Sequence, residues 1–223
     1  MAGILITTNE LHSERFGTVF ICKEDYDRFN ELVADELSIR NYALKKTLDE
    51  NLSPVMASYY YLAKRIDANK LPDSLEVTSP DSIGDLNRWF FNLHIVSEKM
   101  KSIIESVEDE NQQFIDVDLL DSSGNHLGRY CFWKICNVVD AIKYESDGIE
   151  VNSGAYELPN PADGTHTFAV NDGIKLVDKT QVSMMAAWFD IRMNADIFVS
   201  QELIIKMKSA GINNYQISYF FNE

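Results

Sequence analysis

Residues 195–221, ADIFVSQELIIKMKSAGINNYQISYFF, read as a strand, a helix and a second strand. Ile197, Phe198 and Val199 form an apolar strand that runs into Ser200. A serine hydroxyl at that place accepts a bond from an orphan backbone N–H one turn into a helix. Leu203, Met207 and Ala210 follow at helical spacing with Ile204 beside them, so one face of the helix is buried. Val199 and Ile204 stand where a hydrophobic staple packs. Glu202 in the first turn and Lys206 and Lys208 in the last complement the helix dipole. Gly211 takes the left-handed conformation that ends a helix. Tyr215, Ile217, Tyr219 and Phe221 then alternate as a strand.

The same grammar occurs earlier in the chain. Leu93-His94-Ile95-Val96-Ser97 leads into Glu98-Lys99-Met100, then Ile104 and Val107, then the apolar run from Phe114 to Leu120. With Ser97 aligned on Ser200, Met100 falls on Leu203, Ile104 on Met207 and Val107 on Ala210. Either the unit is duplicated or two unrelated helices share a capping pattern. Both readings bury Met100 and Leu203.

Composition is ordinary for a globular protein except in its charge. Acids outnumber bases 35 to 20, a net charge of −15 over 223 residues. Residues 1–80 hold 13 acids and 9 bases (−4), and residues 81–223 hold 22 and 11 (−11). Such a field repels nucleic acid, anionic lipid and phosphorylated ligands, and attracts a basic partner. The plain alternative is that the acids only keep the protein soluble. Gly3 to Thr7 is apolar, but it is too short for a secretory signal and no basic residue precedes it. No run approaches the ~18 apolar residues of a membrane span. Cys22, Cys131 and Cys136 leave at least one thiol unpaired, and all three sit in apolar runs where free cysteine is a small core residue. These features predict a cytoplasmic protein.

Other segments read less sharply. Ile4-Leu5-Ile6 and Thr18 to Cys22 are strands, and Glu24 to Leu37 is a helix with Tyr26, Phe29, Val33 and Leu37 on one face. Ser38 caps a second helix that Pro54 stops, and the tyrosine-rich Val55 to Tyr61 reads as a half-buried strand. Asp67 to Gly84, with Pro72 and Pro80, is the best linker candidate. Trp89, Phe90 and Phe91 should pack onto the earlier strand–helix–strand unit. Phe114 to Leu120 and Leu127 to Val139 flank Asp121-Ser122-Ser123-Gly124-Asn125, which makes a hairpin. Asn171-Asp172-Gly173 is a tight-turn signal between two more short strands. Thr180 to Ile191 is ambiguous between helix and strand.

The search for chemistry is mostly negative. His12, His94, His126 and His166 show no metal-ligand spacing, and there is no CxxC. No glycine-rich loop follows a strand to cradle phosphate, and no GxSxG elbow occurs. Asp116 and Asp118 share a strand face and could be paired carboxylates, but no base accompanies them and a solvated face is the simpler reading. Basic patches with interleaved aromatics, the mark of nucleic-acid binders, are absent. The sequence therefore predicts no catalytic residue, no metal and no cofactor.

In order along the chain come Leu71-Pro72-Asp73, then Leu93-His94-Ile95-Val96-Ser97-Glu98-Lys99-Met100, a hairpin, Asn137-Val138-Val139-Asp140-Ala141-Ile142 with an acidic sequel, and Ile197-Phe198-Val199-Ser200-Gln201-Glu202-Leu203 before a glycine and a closing strand. This order resembles an immunity-protein family of bacterial polymorphic-toxin systems, the one numbered eleven and earlier known only as a domain of unknown function. The resemblance runs from Leu71 to the C-terminus, and residues 1–70 are unmatched. Gly211-Ile212-Asn213-Asn214-Tyr215 lacks the second glycine of the family pattern. The resemblance implies a cytosolic, non-enzymatic protein that binds a secreted toxin's C-terminal domain and blocks it. An enzyme with an unrecognised site, or a scaffold with no toxin, is the rival.

The expected fold is α+β, a mixed sheet with the two similar strand–helix–strand units packed in one body. The expected organisation is an N-terminal region 1–70 and an immunity-type domain 71–223. The expected partner is a basic toxin domain, with neither nucleic acid nor membrane involved. Its expected contacts are the acids at the ends of predicted elements: Glu108, Asp109, Glu110, Asp140, Glu145, Asp147 and Glu150. Loops there reach a partner while the sheet stays rigid.

Overall fold

The computed structural model describes residues 2–7, 17–34, 64–90, 93–139, 141, 149–150, 169–170, 175–190 and 193–222. In chain order the elements are β1 (Ala2–Thr7), β2 (Thr18–Phe20), a helix α1 over residues 23–34, β3 (Ser74–Val77), β4 (Leu86–Phe90), β5 (Leu93–Ser97), α2 (Glu98–Glu105), β6 (Gln112–Leu120), β7 (His126–Ile135) and β8 (Val138–Val139). There follow β9 (Ile149–Glu150), β10 (Ala169–Val170), β11 (Lys175–Leu176), the short α3 (Lys179–Val182), β12 (Ala187–Asp190), β13 (Met193–Ser200), α4 (Gln201–Ser209) and β14 (Tyr215–Asn222). The fold is α+β. Six strands form one sheet in the order β2-β3-β6-β7-β5-β4, and six form another in the order β11-β14-β1-β13-β12-β8.

The two sheets are built alike. Five strands of the first, β3-β6-β7-β5-β4, correspond in order to β11-β14-β1-β13-β12 of the second. The β3/β6 and β11/β14 pairs are parallel, and the other three pairs in each set are antiparallel. Both helix starts are capped as the sequence predicts: Ser97 Oγ accepts from Met100 N at 3.1 Å, and Ser200 Oγ accepts from Leu203 N at 3.2 Å. The caps share backbone angles, φ −67° and ψ 159° against φ −72° and ψ 155°. Ser97 N–H donates to Asp85 O and Ser200 N–H donates to Ala186 O, both at 3.0 Å. Ser97 and Ser200, Met100 and Leu203, Asp85 and Ala186 are therefore equivalent pairs.

One strand breaks the chain order. In the first set β7 follows β6 through the hairpin. In the second, β1 takes the matching place. It lies antiparallel between β13 and β14, with Gly3 opposite Val199 on one side and Phe220 on the other. A polar chain cannot leave two facing strand edges unpaired in an interior, so β1 closes the second sheet.

A shared core fills the space between the units. Leu86, Val96, Met100, Ile104, Trp133 and Ile135 from the first meet Ala187, Phe189, Val199, Leu203, Ile204 and Met207 from the second. Met100 and Leu203 are both 0% exposed, as the alignment requires. Burying such a side chain contributes ~1.5–3 kcal/mol. A second core lies on the other face of the β3–β6–β7–β5 region, where Phe29 and Leu32 of α1 pack on Leu75, Ile95, Val117 and Phe132.

Several expectations need correction. Asp67 to Gly84 is no linker: Leu75 and Val77 alternate inward on β3, which pairs with both β2 and β6. Its prolines sit outside the strand, where no ladder bond is lost. β10 and β11 do not form a hairpin, because β10 pairs with β9 and β11 with β14. Tyr26 is exposed on α1, whose core face is Phe29 and Leu32. Thr180 to Ile191 resolves into parts of both types, α3 and then β12. The predicted second helix after Ser38 and the tyrosines Tyr59 to Tyr61 lie outside the described residues.

Deleting residues 2–7 should lower stability by at least ~3 kcal/mol, a melting-temperature drop of roughly 6–12 °C for a domain of this size. Circular dichroism melting tests this, and an unchanged midpoint would show that β1 does not hold the second sheet together.

Candidate functional site

The two units meet at a buried carboxylate. After α2, Val107 N and Glu108 N both bond back to Ile104 O at 2.9 Å, which closes the helix and turns Glu108 inward. Its carboxylate accepts from Gln112 Nε2 at 2.9 Å, Asn137 Nδ2 at 2.6 Å and Ala186 N at 2.7 Å. Gln112 Oε1 accepts from Trp133 Nε1 at 3.0 Å. The same two amides donate to Ala187 O, at 3.1 Å from Gln112 and 3.0 Å from Asn137. One side of this cluster belongs to the first unit and the other to β12 of the second.

The second unit returns the contact. Asn214, beyond α4, donates through Nδ2 to Leu86 O, and Leu86 is the equivalent of Ala187. A Cβ on Gly84 would run into the Asn214 side chain, so a larger residue there would push Asn214 aside. Lys206 Nζ on α4 also reaches Ser106 O at 2.9 Å, at the end of α2.

The candidate acids fall into distinct groups. Glu108 is corrected out of the surface set, since it is 8% exposed and its oxygens serve interior donors. Asp109 and Glu110, which follow it, are exposed, and Arg65 Nη2 donates to Glu110 O at 2.8 Å. Asp140, Glu145 and Asp147 lie outside the described residues, and Glu150 is described only as backbone, in β9.

Sequence reading missed one residue here. Met184, in the loop from α3 to β12, is 87% exposed, against 53% for Ile205, another exposed apolar residue. Its φ is +69°, in the left-handed region, and it is the one non-glycine residue there among those described. A methionine pair at 184–185 signals helix as readily as loop, so no local pattern marks the position.

The remaining chemistry-bearing groups are occupied. Asp118 sits 3.0 Å from His126 Nε2, and Asp116 sits 3.7 Å from Lys101 Nζ. The Cys131 thiol donates to Glu98 at 3.5 Å and to Asp116 at 3.4 Å. Together they place three ligand atoms, two carboxylate oxygens and one sulfur, within 4.8 Å of one another. Burial pushes the thiol well above its ordinary range, and Lys101 already supplies the positive charge. Nothing about the cluster requires a further cation. Cys136 is half-buried, whereas Cys22 is exposed and so is not the core residue its apolar neighbours suggested. Among the described residues no helix is long and apolar enough to cross a membrane.

His94 lies in the interior with no partner for Nδ1. Burial, aided by the nearby cations Arg88 and Lys134, pushes it down to about 3. His12 and His166 lie outside the described residues.

Compared with known proteins, residues 47–218 match the sequence profile of the immunity protein family (Imm11). The match begins at residue 47, earlier than the Leu71 start of the sequence resemblance. No curated protein matches the chain significantly.

Glu108→Ala should cost about 3 kcal/mol or more, because it strands buried donors that water cannot reach. Urea denaturation checks this, and a loss under ~1 kcal/mol would show that the cluster does not hold the units together. His94 gives a pH signature. Its folded pKa is depressed, so its contribution is intact above about 6.5 and is lost as pH falls toward about 3, by up to about 1.4 kcal/mol per pH unit. His94→Leu should therefore flatten the decline of stability between pH 6.5 and 5. An unaltered acid limb in that variant would place the dependence elsewhere.

Proposed function

The chain belongs to the immunity protein family (Imm11), and from that membership we propose that it neutralises a cognate secreted toxin domain by stoichiometric binding in the cytosol. The family match over residues 47–218 is the observation that carries the reading. An inhibitor of this kind carries out no reaction. It needs a rigid body and a surface complementary to the toxin.

Two features support this. The body is stiff where the units join, through a buried polar cluster with its hydrogen bonds made. The charge is strongly negative, with −11 of the −15 after residue 80. A basic toxin domain would be steered onto such a protein, and steering acts chiefly on the association rate. The proposed toxin-facing acids are Asp109 and Glu110 beside the joint, with Asp140, Glu145, Asp147 and Glu150 in the acidic segment that follows β8.

The direct test is co-expression with the toxin domain encoded beside this gene. Protection of the host and a one-to-one complex by light scattering support the reading. A purified toxin domain that neither binds nor is blocked overturns it. Reversing Asp109, Glu110 and Asp147 together to lysine should slow association by about tenfold at low salt, while the melting temperature stays within a few degrees. Unchanged association kinetics and unchanged salt dependence would make these acids mere solubilisers.

A further inference from the structure

We infer that Met184 is the apolar anchor of the partner interface, seated in a pocket of the basic toxin domain and flanked by Asp109 and Glu110. This rests on the immunity reading above and names where on the surface the contact is made.

The loop that carries Met184 is held at both ends. Asp178 caps α3 by accepting from Thr180 N at 3.0 Å, and Met185 N bonds to Val182 O at 3.2 Å. Val182 and Ala186 are buried on either side, and Ala186 N is fixed on the Glu108 carboxylate at 2.7 Å. Within this clamped loop the side chain at 184 is nearly free of intramolecular contact, at 87% exposure. Its backbone takes φ +69°, a conformation that glycine or asparagine adopts far more readily. Folding gains nothing from a large apolar side chain there. It strains the backbone and leaves apolar surface in water.

The internal duplication supplies a control. Asp85 and Ala186 are equivalent, so Met184 corresponds to Ile83 of the first unit. Ile83 has an ordinary φ of −72° and packs against the core beneath it. The same position is turned inward in one unit and outward in the other. The outward one is the unit whose loop touches the acidic end of α2.

The neighbourhood sets the partner's chemistry. The bond from Ala186 N to the Glu108 carboxylate links the two loops through the buried Glu108 side chain. Met184 is two residues from Ala186 on one loop, and Asp109 and Glu110 are one and two residues from Glu108 on the other, each a reach of at most about 7 Å along its own chain, so one partner can span both. An exposed methionine is a flexible, polarisable knob that fills an irregular pocket well, and methionine is enriched in interfaces. The two carboxylates beside it select for lysine or arginine on the pocket's rim.

The test uses the full chain and, as probe, the catalytically inactivated toxin domain encoded beside this gene. Met184→Gly removes the side chain and the backbone strain together, so its melting temperature should equal or exceed the parent's. Its affinity should fall at least tenfold, chiefly through faster dissociation, with the salt dependence of association unchanged. Met184→Leu should bind within about threefold of the parent. A Met184→Gly variant that binds as tightly as the parent overturns the anchor while leaving the immunity reading intact. A parent chain that fails to bind the probe overturns both.

Discussion

Glu108 is a carboxyl side chain held in the interior, and the joint between the two units depends on it. Its oxygens accept from the Gln112 amide of the first unit, from the Asn137 amide in the link between β7 and β8, and from one backbone N–H of the second unit. Buried carboxyl oxygens are tolerable only with good donors, and here they have them. The gain is geometric more than energetic. Apolar side chains alone would let the units slide, because dispersion contacts are short-ranged but undirected. Hydrogen bonds at 2.6–2.9 Å fix the register of β12 against the loop after α2. Asn214 on Leu86 O does the reciprocal work from the other unit.

The duplication explains why the joint has this form. The residues that follow each helix reach the start of the equivalent strand of the other unit, β12 in one case and β4 in the other: Glu108 and Gln112 go to Ala186 and Ala187, and Asn214 goes to Leu86. The reciprocal arrangement differs in chemistry, with a carboxylate on one side and an amide on the other. It has kept its place in the backbone. The closing strand is a different matter. The first unit has β7 in hairpin continuity with β6, whereas the second takes β1 from the far end of the chain. The family match spans residues 47–218, so it leaves out a strand that the second sheet needs in its middle. Closing both neighbouring edges also removes a site where β13 or β14 could pair with another chain.

What could be read from the sequence was local. The caps at Ser97 and Ser200, the helical spacing of Met100–Ile104 and Leu203–Met207, and the hairpin around Gly124 depend on residues a few positions apart, and the structure has all of them. The errors came from non-local context. Proline and small polar residues made 67–84 resemble a linker, although Leu75 and Val77 alternate as a strand needs, and only β6 far along the chain shows why. Glu108 stood in a run of acids and read as surface, because the donors that draw it inside come from β6, the loop before β8 and the start of β12. The partner of β1 could not be inferred at all, since β13 and β14 lie near the opposite end of the sequence. Met184 was invisible for another reason: a left-handed φ at a non-glycine residue has no sequence signature.

Charge and shape do different jobs on a surface of this kind. At physiological ionic strength the screening length is ~8 Å, so a net charge of −15 gathers a basic partner but hardly chooses among basic partners. Exposed ion pairs add little to affinity, about 0–1 kcal/mol each. Discrimination must come from groups held in fixed positions, where a poor fit leaves them exposed or unpaired. The Glu108 joint provides such fixity: it ties Ala186 down two residues from Met184 and orients the chain that carries Asp109 and Glu110. The Glu108 carboxylate is thus bonded to a residue two positions from Met184, the most exposed large apolar side chain among the described residues. The buried carboxylate thus does two jobs, since its bonds hold the joint together and also fix the position of the loop that carries Met184.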